Sequence, residues 1–138
     1  MADRVKKVSY VKVMVPNRAG QGARLLEALR DGGVNLTAFH AFPAGGGKTQ
    51  VDLVAEDGTA LRRAAKTNAW KLSSPKRAFI IEGEDRAGAV QRQFKKLADA
   101  GVNAIASSAI AAGRGRFGMI LWVRPQDFTR ASRALSAR

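Results

Sequence analysis

Two short loops in this chain carry residue types suited to holding a small polar molecule. Asn17-Arg18-Ala19-Gly20 recurs 68 positions later as Asp85-Arg86-Ala87-Gly88, each time just ahead of a helix-compatible stretch. Glycine has no side chain, so backbone amides at the helix start can come close to a bound group. Those amides lack partners inside the helix, and the helix dipole adds to their preference for a carboxylate. The Asn17 amide can accept from an ammonium or donate to a carboxylate. Asp85, in the matching place, favours an ammonium and repels a carboxylate. Gly33-Val34-Asn35 recurs as Gly101-Val102-Asn103 and adds two further amide side chains. The same residues also suit plain structural work, with glycines making tight connections and asparagines bonding to neighbouring backbone.

Other chemistry finds little support. Gly47-Lys48-Thr49 resembles the end of a phosphate-binding loop, but Phe42 stands where that pattern needs glycine. A strand pattern, not a helix, follows the threonine. His40 is the only histidine and there is no cysteine, so neither a metal site nor a histidine-based triad has the partners it needs. Glu82, Glu84 and Asp85 lie close in sequence without forming a catalytic carboxylate pair. The reading is of a protein that is not an enzyme, with no cofactor and no metal.

The elements that must position these loops come from an internal duplication. Between positions 18 and 53, 15 of 36 residues are identical to the residue 68 further on, without a gap. A repeat of that strength marks a duplicated structural unit. In the first unit Tyr10 to Val15 alternates as a half-buried strand. A helix follows, with Gly22, Leu25, Leu26 and Leu29 on one stripe, and Gly32-Gly33 ends it. Val34 to Phe42 and Lys48 to Ala55 are strands around a Gly45-Gly46-Gly47 turn. Asp57-Gly58 leads to a helix over Thr59 to Asn68, with a short strand at Lys71 to Ser73.

The second unit repeats the order. Its strand is Arg77 to Gly83 and its helix buries Val90, Phe94, Leu97 and Ala98. Strands over Val102 to Ala111 and Phe117 to Arg124 follow, then a helix from Pro125 to Ala137. This is the split βαβ layout, an antiparallel sheet with helices on one face. The expected fold is therefore α+β, two tandem ferredoxin-like βαββαβ units covering residues 1–73 and 74–138. Phe117, Met119 and Leu121 lie on one face of the last strand, Ile120 and Trp122 on the other. An open face of that kind predicts a second chain against it, hence a homodimer.

Composition narrows the partners. The chain has 138 residues, 46% hydrophobic and 25% charged, which fits a soluble domain. No apolar run reaches the roughly 20 residues of a membrane span. With no apolar signal region behind the charged N-terminus, the expected location is cytoplasmic. Lys and Arg number 24 against 11 acids, a formal charge of +13 that attracts anions. Arg62, Arg63, Lys66, Lys71, Lys76 and Arg77 concentrate this charge at the junction between the repeats.

A strand, then Asn-Arg-Ala-Gly, a helix, then Gly-Gly-Val-Asn and a second strand resembles an ACT domain, here in tandem. The resemblance runs from Val8 to Ser73 and again from Ala78 to Ala137. It implies a regulatory module that binds a small molecule, commonly an amino acid. It further implies ligands at the seam of two such units. One site would use Asn17, Arg18, Ala19, Gly20, Gln21 and Gly22 with Val102, Asn103 and Ala104. Its mirror would use Asp85, Arg86, Ala87, Gly88 and Ala89 with Val34, Asn35 and Leu36. The family often has proline where this chain has Ala19 and Ala87, so the loops here are less rigid. Output would pass through the dimer or a separate regulated protein.

The competing reading is nucleic-acid binding, because RNA-recognition modules share the strand order. Those modules stack bases on sheet aromatics. The strand Lys48-Thr49-Gln50-Val51-Asp52-Leu53 has no aromatic, whereas Phe117 and Trp122 flank the other. Non-specific contact with nucleic acid through the basic junction remains part of the expectation.

Overall fold

The computed structural model describes residues 3–138. Their order is β1 (Arg4–Pro16), α1 (Gln21–Asp31), β2 (Leu36–Gly45), β3 (Lys48–Ala55) and α2 (Gly58–Thr67), followed by β4 (Lys76–Glu84), α3 (Ala89–Asp99), β5 (Ala104–Gly113), β6 (Arg116–Val123) and α4 (Phe128–Ala134). The chain forms two compact units. Ser9–Lys76 make one, and the segment through Val8 joins Arg77–Arg138 in the other. The α+β architecture is that of tandem ferredoxin-like units, as the sequence predicts.

In the first-repeat unit the strand order is β2-β3-β1, all antiparallel. Val13 lies opposite Val51 and Val11 opposite Leu53. These side chains form one core with Leu25 and Leu29 of α1 and Leu61 and Ala64 of α2, so both helices cover the same sheet face. Burying each such leucine contributes about 1.5–3 kcal/mol. No strand forms at Lys71 to Ser73. Instead the Ser73 amide donates to the Lys12 carbonyl, and Ser73 Oγ accepts from the Lys12 amide, each at 2.9 Å. A hydroxyl thus replaces a strand carbonyl.

In the second-repeat unit the order is β1-β4-β6-β5. β1 has 13 residues. It is long enough to supply its first half here and its second half to the other unit. Val5 of β1 packs with Phe79, Ile81, Leu97, Leu121 and Phe128. The division therefore differs from a cut at residue 73, because the N-terminal segment completes the second repeat.

Every helix among the described residues stops in the same way. After α1, Gly33 takes φ +71°, its amide donates to Arg30 O, and the Val34 amide reaches back to Leu29 O. After α3, Gly101 at φ +72° and Val102 do the same with Ala98 and Leu97. This is the Schellman stop, closed by an apolar contact between Val34 and Leu29. It consumes Val34 and Val102, so β2 and β5 begin two residues later than the apolar pattern predicts.

Two expectations need correction. Phe94 is 40% exposed and Ala98 is exposed, while Ala89, Gln93 and Leu97 form the buried stripe of α3. Leu26, at the position matching Phe94, is also exposed. Both repeats bury the same face, Leu25 and Leu29 of α1 standing where Gln93 and Leu97 stand in α3. In α3 the polar Gln93 is accommodated there because its Nε2 donates to Asp3 Oδ2 at 2.5 Å. The open face expected around Ile120 and Trp122 is not open either, since Trp122 is buried within the single chain. The exposed apolar side chains of this unit include Ile105 and Ile110 on β5.

Candidate functional site

The two loops fold alike. Asn17 donates its amide to Gly47 O, and Asp85 donates to Gly115 O, each at 2.8 Å. Each loop is thus tied to the tip of its own hairpin. The chain then turns, with Gln21 N on Arg18 O and Ala89 N on Arg86 O. Gly20 at φ +89° and Gly88 at φ +85° serve as the N-caps. Both lie in the left-handed region, which glycine enters without penalty. No side chain caps α1 or α3, and neither has an acid in its first turn. Beyond the Gln21 and Ala89 amides, the start of each helix and the positive end of its dipole thus have no side-chain cap.

The side chains differ. Thr49 Oγ1 donates to Asn17 Oδ1 at 3.0 Å, which fixes that amide. The residue matching Thr49 is Phe117, so Asp85 has no equivalent hydroxyl. Asn35 Nδ2 donates to Glu56 Oε2 at 2.9 Å, and Glu56 N donates to Asn35 O. Asn35 is therefore already engaged in joining β2 to the end of β3. In the second repeat Arg124 stands where Glu56 does in the first, and it donates to Asp127, so Asn103 has no matching carboxylate. Of the other predicted residues, Val34, Ala89 and Val102 are buried in the cores, Leu36 and Ala104 are half-buried, and Arg18, Ala19, Arg86 and Ala87 are exposed.

A hollow of about 320 Å³ opens at the start of α1 in the first-repeat unit. Gln21, Arg24 and Leu25 form one wall, Met14, Val15 and Pro16 of β1 another, and Asn68 and Trp70 a third. Its size suits a small metabolite. Gln21 is the predicted loop residue that lines it. Arg24, Asn68 and Trp70 were not predicted. Arg24 had a signal, because the repeat carries Arg92 in its place; Asn68 and Trp70 lie where the repeat has faded. A second, shallower hollow is lined by Val34, Asn35 and Leu36 with Leu26, Leu29 and Arg30.

Arg92 has a partner that Arg24 does not share. Its guanidinium lies 3.4 Å from Asp3 Oδ2, and that carboxylate is 3% exposed. A polar patch also lies on the first-repeat sheet, where Asp52 is buried and stands across from Lys12 and His40. Gln50 Nε2 donates to Asp52 Oδ1 at 3.0 Å. Burial, and secondarily the Asp52 charge, pushes the Tyr10 phenol above its ordinary 10.0. Among the described residues no group of acids and histidines is placed to hold a metal, and no helix is long and apolar enough to cross a membrane.

These units, with glycine-led helices on one face of antiparallel sheets, have the ACT-type fold in tandem. A protein from Bacteroides thetaiotaomicron matches 96% of the chain and 88% of its own length at a TM-score of 0.80 and 15% identity. The regulatory subunit of aspartate kinase from Thermus thermophilus, in a ligand-free form, matches 98% and 93% at 0.63 and 16%. That of Thermus flavus matches 98% and 94% at 0.57 and 16%. No family model matches the sequence, and no match to a curated protein was found.

Proposed function

We propose that the chain is a non-enzymatic regulatory module that binds an amino acid or similar small carboxylate at the start of α1. The observation carrying this reading is the hollow beside the uncapped α1 N-terminus, with Arg24 in its wall. Arg24 and the loop amides offer donors to a carboxylate, Trp70 and Leu25 offer apolar surface, and Gln21 and Asn68 offer amides for an ammonium. Asn17 to Gly22 frame this site. Asp85 to Ala89 frame its weaker counterpart, where a carboxylate replaces Asn17. Asn35 acts at second remove, through its bond to Glu56 beside β2, and Asn103 belongs to the weaker counterpart. The aspartate kinase regulatory subunits sharing the fold add weight to a regulatory role. Occupancy would pass to a homodimer partner or a separate protein. The edge strand β5, Ala104 to Gly113, has no charged residue to discourage pairing.

The nucleic-acid reading is less favoured. Asp52 occupies the sheet face where such modules stack bases, and its charge opposes phosphate. A thermal-shift screen against the twenty amino acids tests the proposal. A ligand at 100 times its Kd adds about 2.7 kcal/mol of apparent stability. Stabilisation by one or a few amino acids, lost in Arg24→Ala, is the expected result. No response to any amino acid overturns it.

A further inference from the structure

The second-repeat unit carries a separate concavity at the other end of its chain path. Lys7 of β1, Arg77 at the start of β4, and Thr129, Arg133 and Ser136 of the α4 segment line it, with Phe128 at its base. Its volume is about 360 Å³. Three cationic and three hydroxyl side chains line it, Ser132 among them but with its Oγ donating to Phe128 O, and no carboxylate side chain is among the lining residues. Arg77 is held in place, its guanidinium 4.0 Å above the centre of the Phe128 ring, and Phe128 is itself stacked on Phe79. A guanidinium fixed on an aromatic face keeps its N–H edge available to an anion while losing less freedom on binding.

The duplication shows that this arrangement is not a requirement of the fold. Shifting by 68 puts Ser9 in place of Arg77. Aligning α2 and α4 by the left-handed residues that end them, Ala69 and Ser136, puts Leu61 in place of Phe128. The first repeat builds the same helix and strand without the cation or the ring beneath it.

We infer that Lys7, Arg77 and Arg133, with Thr129 and Ser136, form a binding site for a phosphoryl group. The arginines supply paired N–H donors, the lysine a point charge, and the hydroxyls the remaining hydrogen bonds. The group could reach the site on a small phosphorylated compound or as part of a polynucleotide backbone. The site is distinct from the α1 hollow, so its fate does not depend on amino-acid binding.

Inorganic pyrophosphate titrated into 15N-labelled full chain is the direct test. Saturable amide shifts confined to Lys7, Arg77 and Thr129–Ala137 are expected, with affinity falling at least tenfold in Lys7→Gln/Arg133→Gln. A charge-matched control, Lys48→Gln/Arg114→Gln, should leave that affinity unchanged. Melting temperatures of both variants establish that each is folded. A short oligonucleotide identifies the source: competition with pyrophosphate, steeply weakened by salt, assigns the site to a polymer backbone, and its absence assigns it to a small compound. Shifts spread over all basic residues, or equal losses in both double variants, overturn the site.

Discussion

The two repeats agree in what directs the backbone and differ in what fills the space around it. Gly20 and Gly88, Gly33 and Gly101, and Gly47 and Gly115 recur at positions of positive φ. Leu29 and Leu97 recur as buried core residues of α1 and α3. Beside them, Leu25 is matched by Gln93, Val15 by Gly83 and Asn17 by Asp85. One repeat closes its helix over apolar contacts and keeps a hollow beside Arg24. The other closes over Asp3, with two side-chain oxygens, Asp3 Oδ1 and Gln93 Oε1, buried without a hydrogen-bond partner. Duplication preserved the turns, and divergence acted on the side chains packed around them.

The comparison can be tested first where the repeats should behave alike. Leu29→Ala and Leu97→Ala should each destabilise by about 2–5 kcal/mol, measured by urea unfolding. A large inequality would mean that the two cores are not equivalent supports.

Next come the positions that differ. A methyl group on Gly83 would meet the Asp3 carboxylate and lie 2.9 Å from Phe117 Cε1. Gly83→Ala should therefore cost about 1–3 kcal/mol from overpacking. Adding Asp3→Ala should recover part of that loss in a double-mutant cycle, and simple additivity would remove Asp3 from the explanation.

At the loops, Gly20→Ala and Gly88→Ala should each cost about 1–2 kcal/mol, the penalty of placing a side chain in the left-handed region. Space is not the limit, because nothing lies within 4 Å of either added methyl. Calorimetric melting of the two variants checks this. If either is neutral, its loop relaxes to another conformation.

The smallest effect separates the sheets. The unfolded phenol of Tyr10 ionises near its ordinary value of 10.0, whereas the folded one holds its proton to higher pH. Its contribution is present in full below the unfolded value and is lost as pH rises through the folded one. Tyr10→Phe should therefore flatten the alkaline fall in stability, while the matching Ala78 in the second repeat has no such proton to lose.

Much of this arrangement was legible in the sequence, for identifiable reasons. Strand alternation and glycine punctuation are local signals, so β3 matched its expected limits and the loops fell where the repeat put them. The burial of Gln93 in α3 was not legible, because its partner Asp3 lies 90 positions away and reaches under Gly83. Trp122 failed similarly, since an apolar strand face does not say whether its cover comes from the same chain. Within the candidate site, Gln21 was visible from its loop. Trp70 entered only through tertiary packing. The Gly-Val-Asn repeat was read partly as ligand chemistry, yet most of it is accounted for by a helix stop.

The sharing of β1 between units has a consequence for synthesis on the ribosome. Ser9–Lys76 can associate as soon as they have emerged, because the partners they need lie within that stretch. The β1 residues up to Val8 emerge before that stretch and must wait for it, since β4 and the core around Phe79 and Leu121 are made after it. The first half of β1 is thus locked later than the second half that follows it. A change in the first half of β1 would burden the folding of the second repeat rather than the first.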